Sequence, residues 1–327
     1  MSKATFDLIS IGDSTLDTFV KLDEASVLCD FNHDHCWLCL SYADKIPIER
    51  LDHTTGGNSS NMAVGSARLG LKSAFFTVLG DDDVADKILA SLKHDKVDCR
   101  YVQRVKKTTT NFSVVLNYQT ERTILVYHEK RKYQLPKLQS AKWVYYSSMG
   151  KGFQSIHKDL LRYIKKTGAR VGFNPGTFQL NAGNRVLANI LEMTEVLFVN
   201  REEAQRLLGN FKKSTIKELL RGLRHLGPRT PVITDGPKGA YSFDGKTYYY
   251  MPIYDIKVVE RTGAGDSFST GFLTAIIKGK SPAEALRWGT FNAASVIQQI
   301  GPQAGLLKIA EMNKFLKSHS KIHAKEI

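Results

Sequence analysis

A glycine-rich turn in the last third of the chain is the feature that most constrains the fold. The segment Arg261–Phe268 reads Arg-Thr-Gly-Ala-Gly-Asp-Ser-Phe and follows the apolar run Ile256–Val259. Apolar residues then recur at helical spacing, namely Phe268, Phe272, Ala275 and Ile276. Free amide groups at a helix start favour negative charge, and two glycines let a ligand approach them. The segment therefore predicts an anion site with Asp266 at its rim or, alternatively, a helix capped by Asp266.

A second glycine turn lies in the first quarter of the chain. The segment Gly56–Asn61 reads Gly-Gly-Asn-Ser-Ser-Asn and precedes a helix of small residues that ends in Arg68–Gly70. Together the two turns resemble the paired signatures of the ribokinase-like (PfkB) carbohydrate kinases, in which Gly-Gly and a later Asn precede such a helix. The second family signature is Asp-Thr-x-Gly-Ala-Gly-Asp, and Gly263–Asp266 match its core. The resemblance extends from about Phe6 to about Gly305.

Short apolar segments alternate with helical patterns along most of the chain. The apolar segments are Phe6–Ile11, Phe75–Leu79, Trp143–Tyr146, Arg170–Phe173 and Val196–Val199. This alternation predicts an α/β fold with a doubly wound, mostly parallel sheet and helices on both of its faces. The family resemblance implies the same fold and adds a small β-sheet lid over the substrate.

Two segments leave the α/β alternation and are expected to form that lid. In the first, Cys36–Ser41 is expected to be a lid strand; in the second, Asn111–Asn117 and Thr123–His128 predict a β-hairpin. A lid excludes water from a phosphoryl-transfer site and so suppresses hydrolysis. The expected division is residues 20–55 and 109–129 for the lid, and residues 1–19, 56–108 and 130–327 for the large domain.

Composition narrows the classes of function. The chain has 327 residues, 42% of them hydrophobic, and a formal net charge of +14, which suits a globular protein with a sizeable core. No apolar run reaches membrane-spanning length and the N-terminus lacks a signal-peptide core, so we expect a cytoplasmic protein without a membrane partner. The basic residues are spread along the chain without a nucleic-acid motif. We therefore assign the charge to a solvated surface and expect no nucleic-acid partner.

Three of the four cysteines, Cys29, Cys36 and Cys39, lie close together, with histidines that include His33 between the first two. A zinc site is conceivable because thiolate and imidazole are zinc ligands, but the spacing does not match paired Cys-x2-Cys knuckles. Alternation around Cys36 also fits a half-buried strand, and we favour that interpretation. A structural disulfide is not expected in a cytoplasmic chain.

The turn after the first strand supplies candidate ligands of a sugar. In open α/β sheets ligands gather where strands end, and Gly12–Asp17 follows the first apolar segment. Asp13 and Asp17 also have a structural interpretation, because Asp often binds nearby backbone in turns. The resemblance favours Asp17 as a hydroxyl ligand, with Asp13 beside it. It also implies that the acceptor is oriented by Gly56, Gly57, Asn58 and Asn61.

A strand-to-helix junction at Asn200 is a candidate contact of a nucleotide and a metal ion. Asn200 and Glu203 have the spacing of a helix capping box, in which each side chain bonds the other's backbone amide. The resemblance places this pair near the nucleotide phosphates and Mg²⁺, where an outer-shell Glu203 carboxylate is chemically sensible. The two interpretations are compatible.

Two later segments extend the predicted nucleotide site. The glycine-rich turn within residues 232–240 predicts a hairpin on its own, and the resemblance implies a nucleotide-phosphate loop. Its candidate residues are Thr234, Gly236 and Gly239. Asn292 begins a helical face that would pack near adenine, and it is either a nucleotide contact or an exposed helix residue.

The resemblance implies a kinase that moves the γ-phosphoryl group of ATP to a hydroxymethyl oxygen of a sugar in the presence of Mg²⁺. Such a transfer mainly needs positioning and charge stabilisation because its transition state is loose. Asp266 would accept the hydroxyl proton, while the amides of Gly263, Ala264 and Gly265 would hold the transferring oxygens. A non-catalytic sugar- or nucleotide-sensing protein on the same fold is the alternative. The retained Asp266 argues for catalysis.

The sequence does not identify the substrate that accepts the phosphoryl group. Sugar, sugar-phosphate and nucleoside kinases all resemble the pattern, and we favour a neutral sugar. The basic run Lys130–Lys132 is either a contact of a substrate phosphate or, more simply, a solvated surface. Candidates for stacking on a nucleoside are Trp37, Tyr42 and Phe112, which can equally be core residues. The strand around Cys36 is apolar on both sides, so a homodimer through the lid or the chain's own hairpin would cover it.

A departure from the second family signature concerns monovalent cations. Family members carry Asp-Thr before that signature, and the Asp helps to hold a potassium ion, whereas this chain carries Glu260 and Arg261. Glu is one methylene longer, and Arg261 adds a fixed positive charge that would replace or repel the ion. Alternatively, Arg261 points to solvent and Glu260 still supports a cation. We expect a weak dependence on potassium.

Overall fold

The computed structural model describes residues 4–31, 35–119, 121–209, 214–254 and 256–327. The strands are β1 (Phe6–Ile11), β2 (Thr15–Leu22), β3 (Ser26–Cys29), β4 (Cys36–Cys39), β5 (Ile48–Gly56), β6 (Ser73–Leu79), β7 (Asp98–Arg104), β8 (Phe112–Tyr118), β9 (Glu121–Tyr127), β10 (Ala141–Tyr146), β11 (Arg170–Phe173), β12 (Thr194–Asn200), β13 (Thr230–Thr234), β14 (Ala240–Phe243), β15 (Tyr248–Met251) and β16 (Lys325–Glu326). The helices are α1 (Asn58–Arg68), α2 (Asp83–His94), α3 (His157–Thr167), α4 (Thr177–Ala182), α5 (Asn184–Glu192), α6 (Arg201–Leu207), α7 (Ile216–His225), α8 (Ala264–Ile277), α9 (Pro282–Val296) and α10 (Ile309–Ser318). Among the helices described, none combines the length and the apolar character needed to cross a membrane.

A ten-stranded sheet in the order β16-β15-β14-β13-β12-β11-β10-β1-β6-β7 forms the centre of the fold. The strands from β7 to β13 in this order pair in parallel, and β14, β15 and β16 continue the sheet antiparallel. Both faces are buried: in β12, Val196 and Phe198 join one hydrophobic cluster, while Leu197 and Val199 join the cluster on the opposite face. The predicted doubly wound α/β fold is confirmed.

Helices α1 and α8 pack closely because small residues line their contact. A Cβ atom added at Gly65 of α1 would come within 2.5 Å of the Cγ2 atom of Thr270 in α8. On its other side α8 meets α9, where a Cβ at Gly271 would lie 2.5 Å from the carbonyl oxygen of Trp288. This packing brings together the N-termini of α1 and α8, which hold the two glycine turns of the sequence.

A separate four-stranded small sheet has the order β5-β2-β8-β9. Strand β2 pairs with β5 from its first residue, Thr15, which lies opposite Gly56. Pairing in the small sheet therefore starts before residue 20, which was the expected first residue of the lid. The hairpin expected within residues 111–128 is present as β8 and β9.

The expectation that Cys36–Ser41 is a strand of this small sheet is wrong. The segment does contain a strand, β4, but β4 pairs with β3 in a two-stranded sheet of its own. The physical reason is that β2 and β5 pair directly with each other as far as Leu22 and Ile48. The chain between them therefore forms an additional hairpin.

The expectation that the chain has no structural disulfide is also wrong, since Cys29 and Cys36 are disulfide-bonded. The two residues lie opposite each other in the β3–β4 register, with their Cα atoms 4.0 Å apart, which brings the two side chains within bonding reach. Their thiols are therefore not available to zinc. The described residues contain no cluster of three or more His, Cys, Asp and Glu side chains that could hold a metal ion. His33 lies outside the described residues.

Replacement of Gly271 by Ala tests the packing of α8 on α9. The carbonyl of Trp288 belongs to a helix backbone and cannot move aside easily, so Gly271→Ala should lower the free energy of unfolding by about 1–3 kcal/mol. Urea denaturation followed by circular dichroism measures this loss. Gly265→Ala is the matched control, because an added Cβ there meets no atom within 4 Å. Equal stability of the two variants would contradict the close contact.

Candidate active site

The two glycine turns meet at one edge of the large sheet, and both require glycine. Gly57 precedes α1 with a φ of 98°, and Gly263 precedes α8 with a φ of 81°. An added Cβ would lie 2.7 Å from the carbonyl oxygen of Asp13 in the first case and 2.4 Å from the Cβ of Pro302 in the second. Any larger residue at either turn would combine backbone strain with a collision.

The N-terminus of α8 presents unpaired backbone amides. In the described part of the chain the amides of Gly263, Gly265 and Asp266 have no hydrogen-bond acceptor, whereas Ala264 donates to the Arg261 carbonyl at 3.2 Å. The space in front of Gly265 is open, since no atom lies within 4 Å of an added Cβ. This end of α8 can therefore bind an anion through Gly265 and its two neighbours, with the Ala264 amide engaged elsewhere.

A cavity at this edge of the sheet brings together six of the sixteen candidate site residues that the sequence singled out. It opens between the N-termini of α1, α6 and α8. The lining residues are Asn58, Asn174, Phe198, Val199, Asn200, Glu203, Val232, Thr234, Gly265, Asp266 and Ser269. Candidates for acceptor binding, nucleotide binding and catalysis thus share one cavity. Gly236 and Gly239 lie in the turn beyond Thr234 and are not part of this lining.

Asp266 is held by one amide donor. The Nδ2 atom of Asn61 donates a hydrogen bond to the Asp266 Oδ2 atom at 2.8 Å. Burial raises the pKa of Asp266 to about 6, the Asn61 bond lowers it, and the charges of Glu203 and Asp17 raise it further. A carboxylate with a pKa just below neutrality is ionised at pH 7 and remains a competent proton acceptor.

Asn61 has a different role from the one expected. It is 1% exposed, and its Oδ1 atom accepts a hydrogen bond from Gln303 at 3.0 Å while its Nδ2 atom is bound to Asp266. Both ends of this amide are therefore bonded to protein groups, so the side chain contacts Asp266 and Gln303 where the sequence suggested contact with an acceptor. Asn58, three residues earlier, does line the cavity and donates to the Oδ1 atom of Asn174 at 3.0 Å.

Asp13 is buried and forms hydrogen bonds with two other segments of the chain. Its Oδ2 atom accepts hydrogen bonds from the Tyr133 hydroxyl and the Gly150 amide, both at 2.8 Å. Its Oδ1 atom is buried and has no partner among the described residues. Burial raises the pKa of Asp13 to about 6, and hydrogen bonds from Tyr133 and Gly150 lower it. The free oxygen can accept a hydrogen bond from a ligand hydroxyl.

Asp17 lies at the root of the small sheet, where β2 meets β5. It is 7% exposed, and a Cβ added at Gly56 would come within 2.3 Å of its Oδ2 atom, so Gly56 makes room for the carboxylate. Burial raises the pKa of Asp17 to about 6, hydrogen bonds from Ser113 and Thr15 lower it, and the charge of Glu260 raises it.

The capping-box interpretation of Asn200 and Glu203 is confirmed, and the role near a nucleotide and a metal ion stays a prediction. Asn200 donates its amide to the Glu203 carboxylate and accepts from the Glu203 amide, each at 2.8 Å, which confirms the capping box. Both residues also line the cavity beside Asp266. Burial raises the pKa of Glu203 while its bond to Asn200 lowers it. The carboxylate can thus accept hydrogen bonds from a metal's water ligands.

Asn292 is neither of the two alternatives that the sequence left open. It is 0% exposed, so it is not a surface residue of α9. Its Nδ2 atom donates to the Ser267 carbonyl at 2.7 Å, and its Oδ1 atom accepts from the Leu307 amide at 3.0 Å. The side chain is used to join α8, α9 and the segment before α10, and it does not line the cavity.

Several residues near the cavity were missed by sequence reasoning. Asn174 follows the carboxyl end of β11, a position that could have identified it, and its Nδ2 atom donates to the Phe198 carbonyl at 2.8 Å. Tyr133 and His128 follow β9 and pack towards Asp13, with the His128 Nδ1 atom 4.0 Å from the Asp13 carboxylate. No sequence spacing connects these two residues to Asp13.

The basic run after β9 is not a uniformly solvated surface. Arg131 is 7% exposed, donates to the Thr108 hydroxyl at 2.8 Å and also donates to the Thr109 carbonyl. It therefore fastens the segment after β9 to the loop before β8. Lys130 and Lys132 on either side are exposed, as expected for a solvated run.

The Glu260 carboxylate is hydrogen-bonded within the turn before α8. Its carboxylate accepts hydrogen bonds from the Thr262 amide at 2.8 Å and from the Thr262 hydroxyl at 2.7 Å. Arg261 is exposed, and no carboxylate of the described residues lies within 4.0 Å of it.

Comparison with known proteins relates this geometry to one family. The family described as "pfkB family carbohydrate kinase" matches residues 17–309. A 5-dehydro-2-deoxygluconokinase of Clostridium tetani is 25% identical over 295 residues, covering 83% of this chain and 86% of that protein.

Solved structures give the same fold. A ribokinase of Arabidopsis thaliana, complexed with ribose and ATP, superimposes with a TM-score of 0.77 at 22% identity over 95% of this chain and 99% of that one. A nucleoside kinase of Methanocaldococcus jannaschii, described as an archaeal member of the ribokinase family, has a TM-score of 0.77 at 20% identity over 97% and 100% of the two chains. At these identities the superpositions establish the fold.

The raised pKa of Asp17 has a consequence for stability. Since the folded-state pKa of about 6 lies above the unfolded value, ionised Asp17 destabilises the fold at neutral pH, and this cost disappears as the carboxyl is protonated below about pH 4. Asp17→Asn should therefore raise the free energy of unfolding by up to about 3 kcal/mol at pH 7.5 and leave it unchanged at pH 4. Urea denaturation at both pH values measures the effect, with Asp23→Asn at an exposed position as control. An equal gain at both values would contradict it.

Proposed function

The chain belongs to the pfkB family of carbohydrate kinases, and from that premise we propose that it transfers the γ-phosphoryl group of ATP to a hydroxymethyl oxygen of a neutral sugar. The observation that carries the proposal is the Asp266 carboxylate beside the unpaired amides of Gly265 and Asp266 at the start of α8. A proton acceptor and an anion site so close together suit transfer of a charged group to a hydroxyl.

Asp266 is proposed as the group that accepts the proton of the attacking hydroxyl. Its pKa near 6 keeps it ionised at neutral pH, and the Asn61 amide holds it in one orientation. The loose transition state of phosphoryl transfer needs little deprotonation early, so a moderately basic carboxylate is sufficient. The amides of Gly263, Gly265 and Asp266 are proposed to donate hydrogen bonds to the transferring oxygens, at the positive end of the α8 dipole.

Acceptor binding is assigned to the side of the cavity nearer the small sheet. Asp17 and Asn58 are proposed to bind sugar hydroxyls, with Asp13 contributing its unpaired Oδ1 atom. Gly56 and Gly57 are proposed to let the chain pass close to the sugar without side chains in the way. A buried, negatively charged Asp13 and Asp17 pair disfavours a phosphate on the same part of the acceptor, which is why a neutral sugar is preferred over a sugar phosphate.

Nucleotide binding is assigned to the opposite side, where Asn200, Glu203 and Thr234 line the cavity. These residues fit a nucleotide phosphate with Mg²⁺, because a buried carboxylate, an amide and a hydroxyl oxygen are hard ligands or bind a metal's waters. Glu203 is proposed to bind the cation through water. When bound, MgATP would supply the phosphoryl group, and its Mg²⁺ would offset part of the phosphate charge. The turn at Gly236 and Gly239 is proposed to flank the nucleotide.

The small sheet is proposed to be the lid of the site. Asp17 and Gly56 lie at the paired ends of β2 and β5, and β5 leads directly to Asn58 of the cavity lining. Strand β9, at one edge of this sheet, exposes Leu125 at 55% and Val126 at 56%. An exposed apolar edge strand invites pairing with another chain, so a homodimer through the lid stays a prediction. The interface would include β9 rather than only the segment around Cys36.

A nucleoside, a sugar phosphate, and binding without catalysis stay as alternatives. Trp37 and Tyr42, two of the candidates for stacking on a nucleoside base, are exposed at 54% and 100% in or near the β3–β4 hairpin. They project from the far end of the β2–β5 pair, which disfavours stacking against a nucleoside bound near Asp17. Sugar-dependent formation of ADP separates a kinase from a sensor.

Asp266→Asn tests the proposed catalytic role. Because a general base contributes roughly 100- to 10,000-fold, the variant should lose that factor in the rate of ADP formation with its best acceptor. The assay couples ADP formation to NADH oxidation and screens D-ribose, D-fructose, D-fructose 6-phosphate and inosine with MgATP. Glu202→Gln, an exposed carboxylate in the first turn of α6, is the control. Activity of Asp266→Asn within a few-fold of the parent would exclude the role, and parent protein that binds acceptors without turnover would favour the sensor.

Potassium activation is expected to be weak. The Glu260 carboxylate is already bound to Thr262, and Arg261 places a permanent positive charge beside the turn where family members hold the ion. Initial rates should therefore differ little between potassium chloride and tetramethylammonium chloride at matched ionic strength, and Arg261→Thr should increase the difference. Strong potassium activation of the unmodified protein would refute this expectation.

A further inference from the structure

Gln303 occupies a short segment that contacts β5, the start of α1 and the turn before α8, although no signature of the sequence singled it out. It lies between α9 and α10 and is 6% exposed. The residue before it, Pro302, packs directly on Gly263, and Gly301 packs against the side chain of Thr54 in β5. The segment Gly301–Gln303 is thus wedged between the root of the small sheet and the turn that begins α8.

The Gln303 side chain is the centre of a continuous row of hydrogen bonds. The Thr55 hydroxyl in β5 donates to the Gln303 Oε1 atom at 2.8 Å. The Gln303 Nε2 atom donates to the Asn61 Oδ1 atom at 3.0 Å, and the Asn61 Nδ2 atom donates to the Asp266 Oδ2 atom at 2.8 Å. The row therefore joins the small sheet to Asp266 through α1.

The direction of these bonds is what gives Gln303 its importance. An amide NH₂ group can only donate, and the Gln303 Nε2 atom donates to the Ser60 hydroxyl, at 3.2 Å, and to the Asn61 Oδ1 atom. That contact leaves the NH₂ group of Asn61 turned towards Asp266, which needs a donor because its carboxylate is charged. Reversing Asn61 would place an oxygen against Asp266 and leave a buried donor facing Gln303.

We propose that Gln303 is a positioning residue that locks the Asn61 amide in the orientation that donates to Asp266, and that it links this orientation to strand β5. The inference rests on the proposed function in one respect, namely that Asp266 accepts the proton of the acceptor hydroxyl. Strand β5 ends at Gly56, beside Asp17. Closure of the small sheet over an acceptor would therefore affect the row of hydrogen bonds through Thr55, which belongs to β5.

The backbone of Gln303 is held independently of its side chain. Its carbonyl accepts a hydrogen bond from the Arg68 Nη1 atom at 2.6 Å. Arg68 in turn forms two hydrogen bonds with the Asp95 carboxylate, at 2.7 and 2.9 Å, with side-chain exposures of 17% and 7%. Side-chain substitutions at Gln303 should therefore leave the segment in place.

Other titratable groups face Asp266, and their charges affect its pKa together with the hydrogen bond from Asn61. Glu203 of α6 and Asp17 of β2 oppose its ionisation by their charge. The Tyr145 phenol of β10 is also close enough for the Asp266 charge to raise the pKa of Tyr145, after burial as the larger cause. With two carboxylates opposing ionisation, the Asn61 donor is the contact that favours the active, ionised form.

Two isosteric substitutions test the proposal through the pH dependence of kcat/KM. Gln303→Glu offers Asn61 a second acceptor, so Asp266 should lose its donor, and Gln303→Met removes the lock without adding charge. We expect kcat/KM of Gln303→Glu to fall about ten- to a hundredfold at pH 7 and the rising limb of its pH profile to move up by about one unit. Gln303→Met should shift the limb in the same direction by less.

The matched controls separate positioning from charge and from loss of structure. Gln298→Glu makes the same change at the end of α9, where the side chain donates to its own helix at the Ala294 carbonyl, and should leave the limb unmoved. Thr55→Val removes the β5 hydroxyl at nearly constant volume and should shift the limb upward. A merely structural Gln303 would lower the melting temperature and the active fraction without moving the limb, which would overturn the proposal. An unmoved limb in Thr55→Val would overturn the link to β5.

A measurement without substrates keeps this test distinct from the test of the kinase activity. The side-chain NH₂ group of Asn61, assigned in proton–nitrogen NMR spectra with Asn61→Ala, should exchange slowly with solvent in the parent protein. In Gln303→Glu and Gln303→Met it should exchange at least about tenfold faster, because the amide is no longer held at both ends. Unchanged exchange would overturn the proposal even if the enzyme is active. Faster exchange in a protein that phosphorylates no acceptor would support the lock and count against the proposed function alone.

Discussion

The site depends on keeping one carboxylate charged in a place that disfavours charge. Asp266 sits at the start of α8, partly buried, with Glu203 and Asp17 near enough to oppose its ionisation. Two features stabilise the ionised form of Asp266 in spite of these effects: the positive end of the α8 dipole and the hydrogen bond from Asn61. The Asn61 bond requires α1 and α8 to pack closely side by side, and this requirement explains the glycine at Gly65.

The large sheet provides the rigid support for that meeting. Because both faces of its strands are buried, the polar ends of β1, β11 and β12 are fixed by the packing of their apolar middles. Asp13, Asn174 and Asn200 follow or end those strands, at the edge where α1, α6 and α8 begin. Polar groups far apart in the sequence therefore converge without any of them having to contribute much to stability.

The small sheet adds a second, less rigid set of contacts. Its root carries Asp17 and also Thr55, whose hydroxyl donates to Gln303, and its edge strand β9 continues into the segment that Tyr133 fastens to Asp13. The two oxygens of Asp13 differ in consequence: one is saturated by Tyr133 and Gly150, and the other is buried without a partner. Such an unpaired oxygen is costly unless a ligand binds it, and this cost is the physical ground for proposing Asp13 as a ligand of the acceptor.

The sequence by itself determined the α/β alternation, the two glycine turns and the family, because strand and helix periods and the φ angles open to glycine are local properties of the chain. The family resemblance also grouped Asp266, Glu203, Asn200 and Asn58 in one predicted site, and the four residues do line one cavity. Tertiary structure decided what each side chain contacts. Asn61 turned out to serve Asp266, Asn292 proved to be a buried bridge, and Gln303 came from a segment that no signature covers. The Cys29–Cys36 bond likewise depended on strand register. Hydrogen-bond partners such as these are distant in sequence and are set by packing, and no local pattern encodes them.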